Sequence, residues 1–118
     1  DTLLLAIVEL ETMSHVGNVK VGPLDPHHGT ADLGILVGER RCWGRGYGTE
    51  AIRLAARLAF EQLGARKLTA SCYSANAGSA AAFRRAGWIE EGLRFGQFLA
   101  DDGTPNDQLL FGLFRSPC

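Results

Sequence analysis

Hydrophobic and polar residues follow a strand-like pattern over the first part of the chain. Leu3 to Leu10 is apolar and partly β-branched, which predicts a buried strand. His15 to Val21 alternates between apolar and polar residues less regularly and predicts a second, weaker strand. Pro23 to Gly29 is rich in turn-forming residues, and Ala31 to Val37 alternates again. This part of the chain therefore predicts three strands in succession.

The period changes to that of a helix at Thr49. Apolar residues recur on one face, with charged residues outside it, and Gly64 is the predicted helix stop. The apolar stripe consists of Ile52, Ala55, Ala56, Ala59, Phe60 and Leu63. Lys67 to Tyr73 then predicts another strand. A second, shorter helix is predicted to open at Asn76 and to end at Gly87, which takes the left-handed cap position.

The last part of the chain predicts a β-hairpin. Two strands, Trp88 to Leu99 and Gln108 to Phe114, are joined by a predicted turn at Asp101-Asp102-Gly103. The elements thus follow the order β-β-β-α-β-α-β-β, in which a strand–helix–strand unit lies between antiparallel flanks. We therefore expect an α+β fold with a mixed, mostly antiparallel central sheet and flanking helices, in a single domain over residues 1–118.

Composition narrows the functional classes. With 118 residues, of which 46% are hydrophobic, the chain can bury a core as one soluble globular domain. The formal net charge of −1 gives no overall field to attract nucleic acid or an acidic membrane. No apolar run is long enough to span a bilayer, and no signal peptide is visible. Three unpatterned cysteines (Cys42, Cys72 and Cys118) predict neither a disulfide framework nor a metal site, and they favour a reducing cytoplasm.

A glycine-rich stretch between the third strand and the first helix carries the most chemistry. Glu39 to Gly48 is too rich in basic residues and glycine to form a regular element, and it contains Arg40, Arg41 and Arg45. Its closely spaced glycines let backbone amides approach an anion, and the helix N-terminus behind them adds a positive partial charge. The stretch therefore predicts a phosphate or pyrophosphate site. It matches neither a Walker loop nor the G-x-G-x-x-G dinucleotide fingerprint of a parallel unit.

Two segments of the chain carry a resemblance to a known family. Trp43 to Ala51 resembles W-G-x-G-Y-[AG]-T-E-A, a pattern of the Rim-type branch of the GNAT superfamily of acetyl-CoA-dependent N-acetyltransferases. Asn76 to Ser79, followed by Phe83 to Trp88, is similar to the family's N-x-x-S-x-x-h-h-x-K-x-G-F/W segment. The resemblance implies a GNAT fold that is short at its N-terminus, since members usually begin with a further strand and two helices. It also implies acetyl transfer from acetyl-CoA to a primary amine, either a protein N-terminus or a small amine.

The same resemblance implies which residues bind acetyl-CoA. Pantetheine would add to the backbone edge at Ile35, Leu36 and Val37. The pyrophosphate would bind the loop, whose residues are Trp43, Gly44, Arg45, Gly46, Tyr47, Gly48 and Thr49. Asn76 would hydrogen-bond the pantetheine arm, with Ser79 and Phe83 beside it. Many members carry a tyrosine at the position of Phe83 that protonates the departing thiolate. Because phenylalanine has no proton to give, Ser79 or water is the candidate for that role.

Asp32 is the candidate general base, at a position where Rim-type members often carry an acid. The substrate ammonium must lose a proton before it attacks, and we expect Asp32 to accept that proton through water. A backbone amide near Leu36 or Val37 would donate to the oxyanion. Three simpler structural interpretations stay open: a surface ion pair for Asp32, a structural turn for the glycine loop, and a helix cap for Asn76 or Ser79.

Two other functional classes are open at this point. One is a non-catalytic module that binds acetyl-CoA or another acyl-CoA, suggested by the missing tyrosine and the short N-terminus. The other is an unrelated enzyme that uses the glycine loop to bind a nucleotide. We expect a homodimer, because the short N-terminus would leave sheet edges exposed. No nucleic acid, membrane or metal is expected as a partner.

Overall fold

Six strands form one sheet in the part of the chain that the computed structural model describes, residues 2–9, 14–37 and 47–115. The strands are β1 (Leu3–Glu9), β2 (Ser14–Val21), β3 (Thr30–Val37), β4 (Lys67–Tyr73), β5 (Ile89–Leu99) and β6 (Pro105–Phe114). The helices are α1 (Tyr47–Leu58), which continues as a π-helical turn over Ala59–Leu63, and α2 (Ala77–Arg85). The predicted order of strands and helices is confirmed.

The strands lie side by side in the order β1-β2-β3-β4-β6-β5. β3 and β4 are parallel, whereas the other neighbouring pairs are antiparallel. The parallel pair follows from the connection through α1, because a helix can carry the chain back to the starting end of the sheet. The expected mixed, mostly antiparallel sheet is therefore confirmed.

Both helices pack on one face of this sheet and enclose the core. The apolar stripe of α1 faces this core, with Ile52 and Ala55 fully enclosed and Phe60 and Leu63 half-buried. β2, β3 and β4 supply the opposing apolar residues, which are Val19, Val21, Ala31, Leu33, Leu68 and Ala70. The other face of the sheet, which we call the open face, carries exposed or half-buried residues such as Asp32, Thr69 and Ser71.

The helix ends follow local backbone chemistry. α1 begins at Tyr47, two residues before the predicted start at Thr49. The prediction that Glu39 to Gly48 is irregular is therefore wrong at Tyr47 and Gly48, and its other residues lie outside the described part of the chain. Glycine destabilises a helix mainly when it lies in the interior, so Gly48 is tolerated in the first turn. At the other end Gly64 is the predicted helix stop and has φ 72°, while Gly87 after α2 has φ 90° and so adopts the predicted left-handed conformation.

The final hairpin is longer and less regular than predicted. β6 begins at Pro105, three residues before the predicted start at Gln108. β5 bulges between Arg94 and Phe98, where Gly96 has φ 58° and its amide donates to Asp107 Oδ1 at 2.8 Å. Hydrophobic periodicity does not reveal such a bulge, because it breaks the alternation on which the prediction depends.

None of the helices in the described residues is long and apolar enough to cross a membrane.

Candidate functional site

The sheet divides between β3 and β4. These strands are paired only at Thr30 with Lys67, Ala31 with Leu68, and Asp32 with Thr69. Beyond Asp32, β3 stays paired with β2 as far as Val37, but it has no ladder partner on the β4 side among the described residues. The backbone of residues 33–37 therefore presents a free strand edge to a cleft, which we call the β3–β4 cleft.

The first turn of α1 follows β3 in the chain and supplies unpaired backbone amides. Gly48 and Thr49 are buried in this turn, with Thr49 8% exposed. The helix dipole places positive partial charge at this end, which suits an anionic group. Of the predicted loop, Tyr47, Gly48 and Thr49 lie in α1, while Trp43, Gly44, Arg45 and Gly46 lie outside the described residues.

Asn76 caps the N-terminus of α2. Its Oδ1 accepts a hydrogen bond from the Ser79 backbone amide at 3.0 Å, which confirms the helix-cap interpretation. The cap lies next to the end of β4, because the Asn76 amide donates to the Tyr73 carbonyl at 2.9 Å. The cap uses the side-chain oxygen of Asn76, whereas the side-chain NH₂ group carries two N–H donors. A hydrogen bond from Asn76 to pantetheine stays a prediction.

Ser79 lies on the core side of α2 and is 5% exposed. Its side chain lies close to the Cys72 thiol on β4. Burial raises the pKa of the Cys72 thiol, and the Ser79 side chain opposes that effect only in part. The proposed proton-donor role of Ser79 stays a prediction, now with its hydroxyl located beside a buried neutral thiol.

Phe83 belongs to an aromatic cluster in the core. It is 1% exposed, stacks on Phe111 with ring centroids 5.2 Å apart, and meets Trp88 edge to face at 5.1 Å. Such pairs stabilise a fold beyond the burial of their area. Contact of Phe83 with the cofactor stays a prediction; in this structure its contacts are those of a core residue.

Asp32 stands where β3 and β4 part, on the open face. Its Oδ1 accepts a hydrogen bond from Thr69 Oγ1 at 2.8 Å, and the side chain is exposed. Within the part of the chain that the structure describes, Asp32 makes no ion pair, so its carboxylate is held by a neutral donor. Ile35, on the same strand, is half-buried, and Leu36 and Val37 continue the free edge. The strand thus places a positioned carboxylate at the closed end of the β3–β4 cleft.

Sequence reasoning missed the partner of Asp32. Thr69 alternates with buried Leu68 and Ala70 on β4, and this alternation placed it on the open face. Its pairing with Asp32 required the parallel register of β3 and β4, which no single-strand pattern contains. The described residues hold no group of three His, Cys, Asp or Glu side chains arranged for a metal ion.

Solved structures of acetyltransferases share this fold. A Vibrio cholerae protein provisionally assigned as a ribosomal-protein-serine acetyltransferase is 29% identical, with a TM-score of 0.79 over 98% of this chain and 65% of that one. A ribosomal-protein-S5-alanine acetyltransferase from Vibrio fischeri is 15% identical, with a TM-score of 0.85 over 98% of this chain and 63% of that one. A variant of spermidine N-acetyltransferase from Vibrio cholerae is 17% identical, with a TM-score of 0.81 over 96% of this chain and 65% of that one.

These likenesses differ in what they support. The Vibrio fischeri enzyme and the spermidine N-acetyltransferase variant are only 15% and 17% identical to this chain, so they show the fold alone. This chain spans less than two thirds of the length of each of the three proteins. No curated protein sequence matches the chain significantly.

Family membership rests on the sequence itself. The family model described as "Acetyltransferase (GNAT) domain" matches residues 1–89, which include β1 to β4 and both helices. This match removes the alternative of an unrelated nucleotide-binding enzyme and agrees with the divided sheet. The chain therefore belongs to the GNAT acetyltransferase family.

Proposed function

We propose that this chain carries the acetyl-CoA site of an N-acetyltransferase that acts on a primary amine. The observation that carries the proposal is the β3–β4 cleft, in which β3 leaves a free strand edge and the opposite strand, β4, ends next to the cap of α2. An extended chain with amide groups can pair with such an edge as an added strand would. The first turn of α1 offers amides to the anionic end of the same ligand.

The residues of the cleft fit acetyl-CoA. Ile35, Leu36 and Val37 would pair with the pantetheine amides, and Asn76 would donate its free side-chain hydrogens to the arm. The pyrophosphate would bind the first turn of α1 together with the loop from Trp43 to Gly46. Bound acetyl-CoA supplies an activated thioester carbonyl. A backbone amide near Leu36 or Val37 would donate a hydrogen bond to the oxyanion that forms when the amine attacks.

Asp32 would act as the general base. Its exposed carboxylate is fixed by Thr69 at the closed end of the cleft, where an attacking amine must approach the thioester. A carboxylate there can accept the proton of the substrate ammonium through one water molecule. Protonation of the departing thiolate falls to Ser79 or to water, because Phe83 has no hydroxyl.

The acceptor would be a protein N-terminus or a small amine, as in the Rim-type branch. The match of Trp43 to Ala51 with the Rim-type pattern supports this branch. Likeness to a protein provisionally assigned as a ribosomal-protein-serine acetyltransferase agrees with it.

A non-catalytic module that binds acetyl-CoA or acyl-CoA is the second candidate. One observation favours it. The Ser79 hydroxyl, which is the candidate proton donor, is buried next to Cys72. Such a module would use the β3–β4 cleft for binding alone and would release no free thiol when an amine is added.

Calorimetric titration with acetyl-CoA tests the proposed site. We expect micromolar binding by the unmodified chain and its loss in Gly46→Glu, because the new carboxylate would repel the pyrophosphate. Gln62→Glu, which adds the same charge at an exposed position beyond α1, is the matched control and should bind normally. Absence of binding in a folded chain would refute the site. A screen of amines for thiol release then separates the enzyme from the binding module.

We also propose a homodimer in a reducing cytoplasm. The edge strand β5 leaves Phe95 83% exposed and Leu99 68% exposed, and exposed apolar groups on a strand edge favour association. Light scattering should give twice the chain mass of 12.7 kDa, and a clean monomer at micromolar concentration would contradict the dimer.

A further inference from the structure

A polar groove crosses the open face of the sheet next to Asp32. Its volume is about 370 Å³, and it runs from Asp32 and Thr69 over Ser71 to Gln108 on β6 and to Glu91 and Arg94 on β5. The proposed function puts the reacting amine at Asp32. The rest of the acceptor would therefore lie along this groove, where Gln108 and Arg94 would meet the groups next to the amine.

The two carboxylates of the groove are already engaged. Glu91 reaches across β6 to pair with Lys67, with Oε2 2.8 Å from Nζ. Gly112 makes this crossing possible, because a side chain at that position would overlap the Glu91 carboxylate. Asp32 accepts the Thr69 hydroxyl. Glu91 therefore contributes little uncompensated negative charge to the groove.

Arg94 brings a positive charge to the groove. In the described residues, it makes neither an ion pair nor a hydrogen bond, although it lines the groove. An unpaired arginine presents five donors in a planar fork that fits a carboxylate or a carbonyl oxygen. This end of the groove therefore favours a ligand group that accepts hydrogen bonds.

Gln108 stands directly opposite Arg94 in the β5–β6 ladder. Its side-chain oxygen is buried and has no hydrogen-bond partner among the described residues. A buried acceptor without a donor is costly, and native proteins usually satisfy one with water or a ligand. Opposite residues on one face of a ladder have Cβ atoms only about 5 Å apart. Arg94 and Gln108 thus place an unused donor and an unused acceptor side by side.

We propose that Arg94 and Gln108 select acceptors whose amine is followed by an amide, as in the N-terminus of a peptide. In an extended peptide the N–H and the carbonyl of the second residue point to the same side, so this carbonyl would accept from Arg94 and this N–H would donate to the Gln108 oxygen. A polyamine has only donors and would bring additional positive charge against Arg94. The inference depends on the proposed function for the position of the amine, but the two contacts can be measured by binding alone.

The test compares two acceptors on the full chain: trialanine amide with a free amino terminus, and spermidine. Titration followed by NMR should show that the peptide binds, and that Arg94→Ala and Gln108→Leu each weaken this binding ~10-fold, as expected for loss of a hydrogen bond to a charged or buried group. Arg57→Ala removes an exposed arginine from the helix face and is the matched control, with unchanged affinity expected. Spermidine should bind more weakly than the peptide and should bind no less tightly to Arg94→Ala.

Kinetic measurements with acetyl-CoA add a second readout. In Arg94→Ala we expect kcat/KM for the peptide to fall ~10-fold through KM, with kcat for spermidine unchanged. Equal peptide affinities in the unmodified chain and in Arg94→Ala would overturn the proposal, and so would equal losses for both acceptors. If the peptide binds through Arg94 but no acetyl group is transferred, the recognition pair stands and the proposed enzyme function fails.

Discussion

At the scale of single residues, the central feature is a carboxylate fixed at the point where the sheet divides. Asp32 belongs to the last residue pair that joins β3 to β4, and Thr69, its partner in that pair, donates the hydrogen bond that orients it. The backbone register thus determines both the position of the carboxylate and its donor. A residue placed in this way can meet an amine that enters from the open face.

Replacement of Asp32 by asparagine tests its role as a base. The asparagine side chain would keep an oxygen that accepts from Thr69, so the local geometry should persist while proton acceptance is lost. We expect kcat for acetyl transfer to fall ~100-fold, within the usual range for a general base, with unchanged affinity for acetyl-CoA. Steady-state kinetics and calorimetry measure the two quantities. A kcat within twofold of the unmodified chain would exclude Asp32 as the base.

The thiol of Cys72 offers a test of the burial around Ser79. Because burial raises its pKa, the thiol stays protonated in the folded chain over a pH range in which an unfolded thiol ionises. The free energy of unfolding should therefore be unaffected by this group at neutral pH and should decrease as pH rises above the pKa of the unfolded thiol.

Alkylation measures the same property directly. In a chain carrying Cys42→Ser and Cys118→Ser, we expect iodoacetamide to modify Cys72 at pH 8 at least ~10-fold more slowly in buffer than in urea, since the thiolate is the reactive form and the site is enclosed. Equal rates in the two conditions would show that Cys72 and its neighbour Ser79 are open to solvent.

At the scale of elements, strands and helices were predictable where periodicity and caps agree. The strand Lys67–Tyr73 and the helix stop at Gly64 match the prediction, because the first has a regular alternation and the second a residue suited to positive φ. The start of α1 and the extent of β6 differ from the prediction. The helix begins with a glycine, which local propensity disfavours, and the bulge is stabilised by a cross-strand hydrogen bond to Asp107 that a local pattern does not record.

Asn76 caps α2 and is proposed to bind pantetheine as well, and two substitutions separate the cap from the proposed role. Asn76→Ala removes the cap, so we expect the free energy of unfolding to fall by about 1 kcal/mol. Asn76→Asp keeps the accepting oxygen and loses the side-chain N–H donors. It should unfold like the unmodified chain in urea and yet bind acetyl-CoA more weakly in calorimetry. If Asn76→Asp binds acetyl-CoA normally, Asn76 is a cap only.

At the scale of the whole molecule, the site arises from how far strands pair rather than from any one motif. The family resemblance indicated a backbone edge at residues 35–37 for pantetheine, but the residues that line the open face, Arg94 and Gln108, could not be found in the sequence. They lie on different strands and come together only through the β5–β6 register, which the bulge after Arg94 changes. A pattern along one strand carries no information on such a pairing.

The measurement that tests the β3–β4 cleft most directly is hydrogen–deuterium exchange with and without acetyl-CoA. If pantetheine pairs with the free edge of β3, amide exchange should slow in residues 33–37 and in the first turn of α1, and it should be unchanged in β5. The Gly46→Glu variant should lose this protection. Protection confined to other parts of the sheet, or saturating acetyl-CoA with unchanged exchange along β3, would contradict the cleft as the acetyl-CoA site.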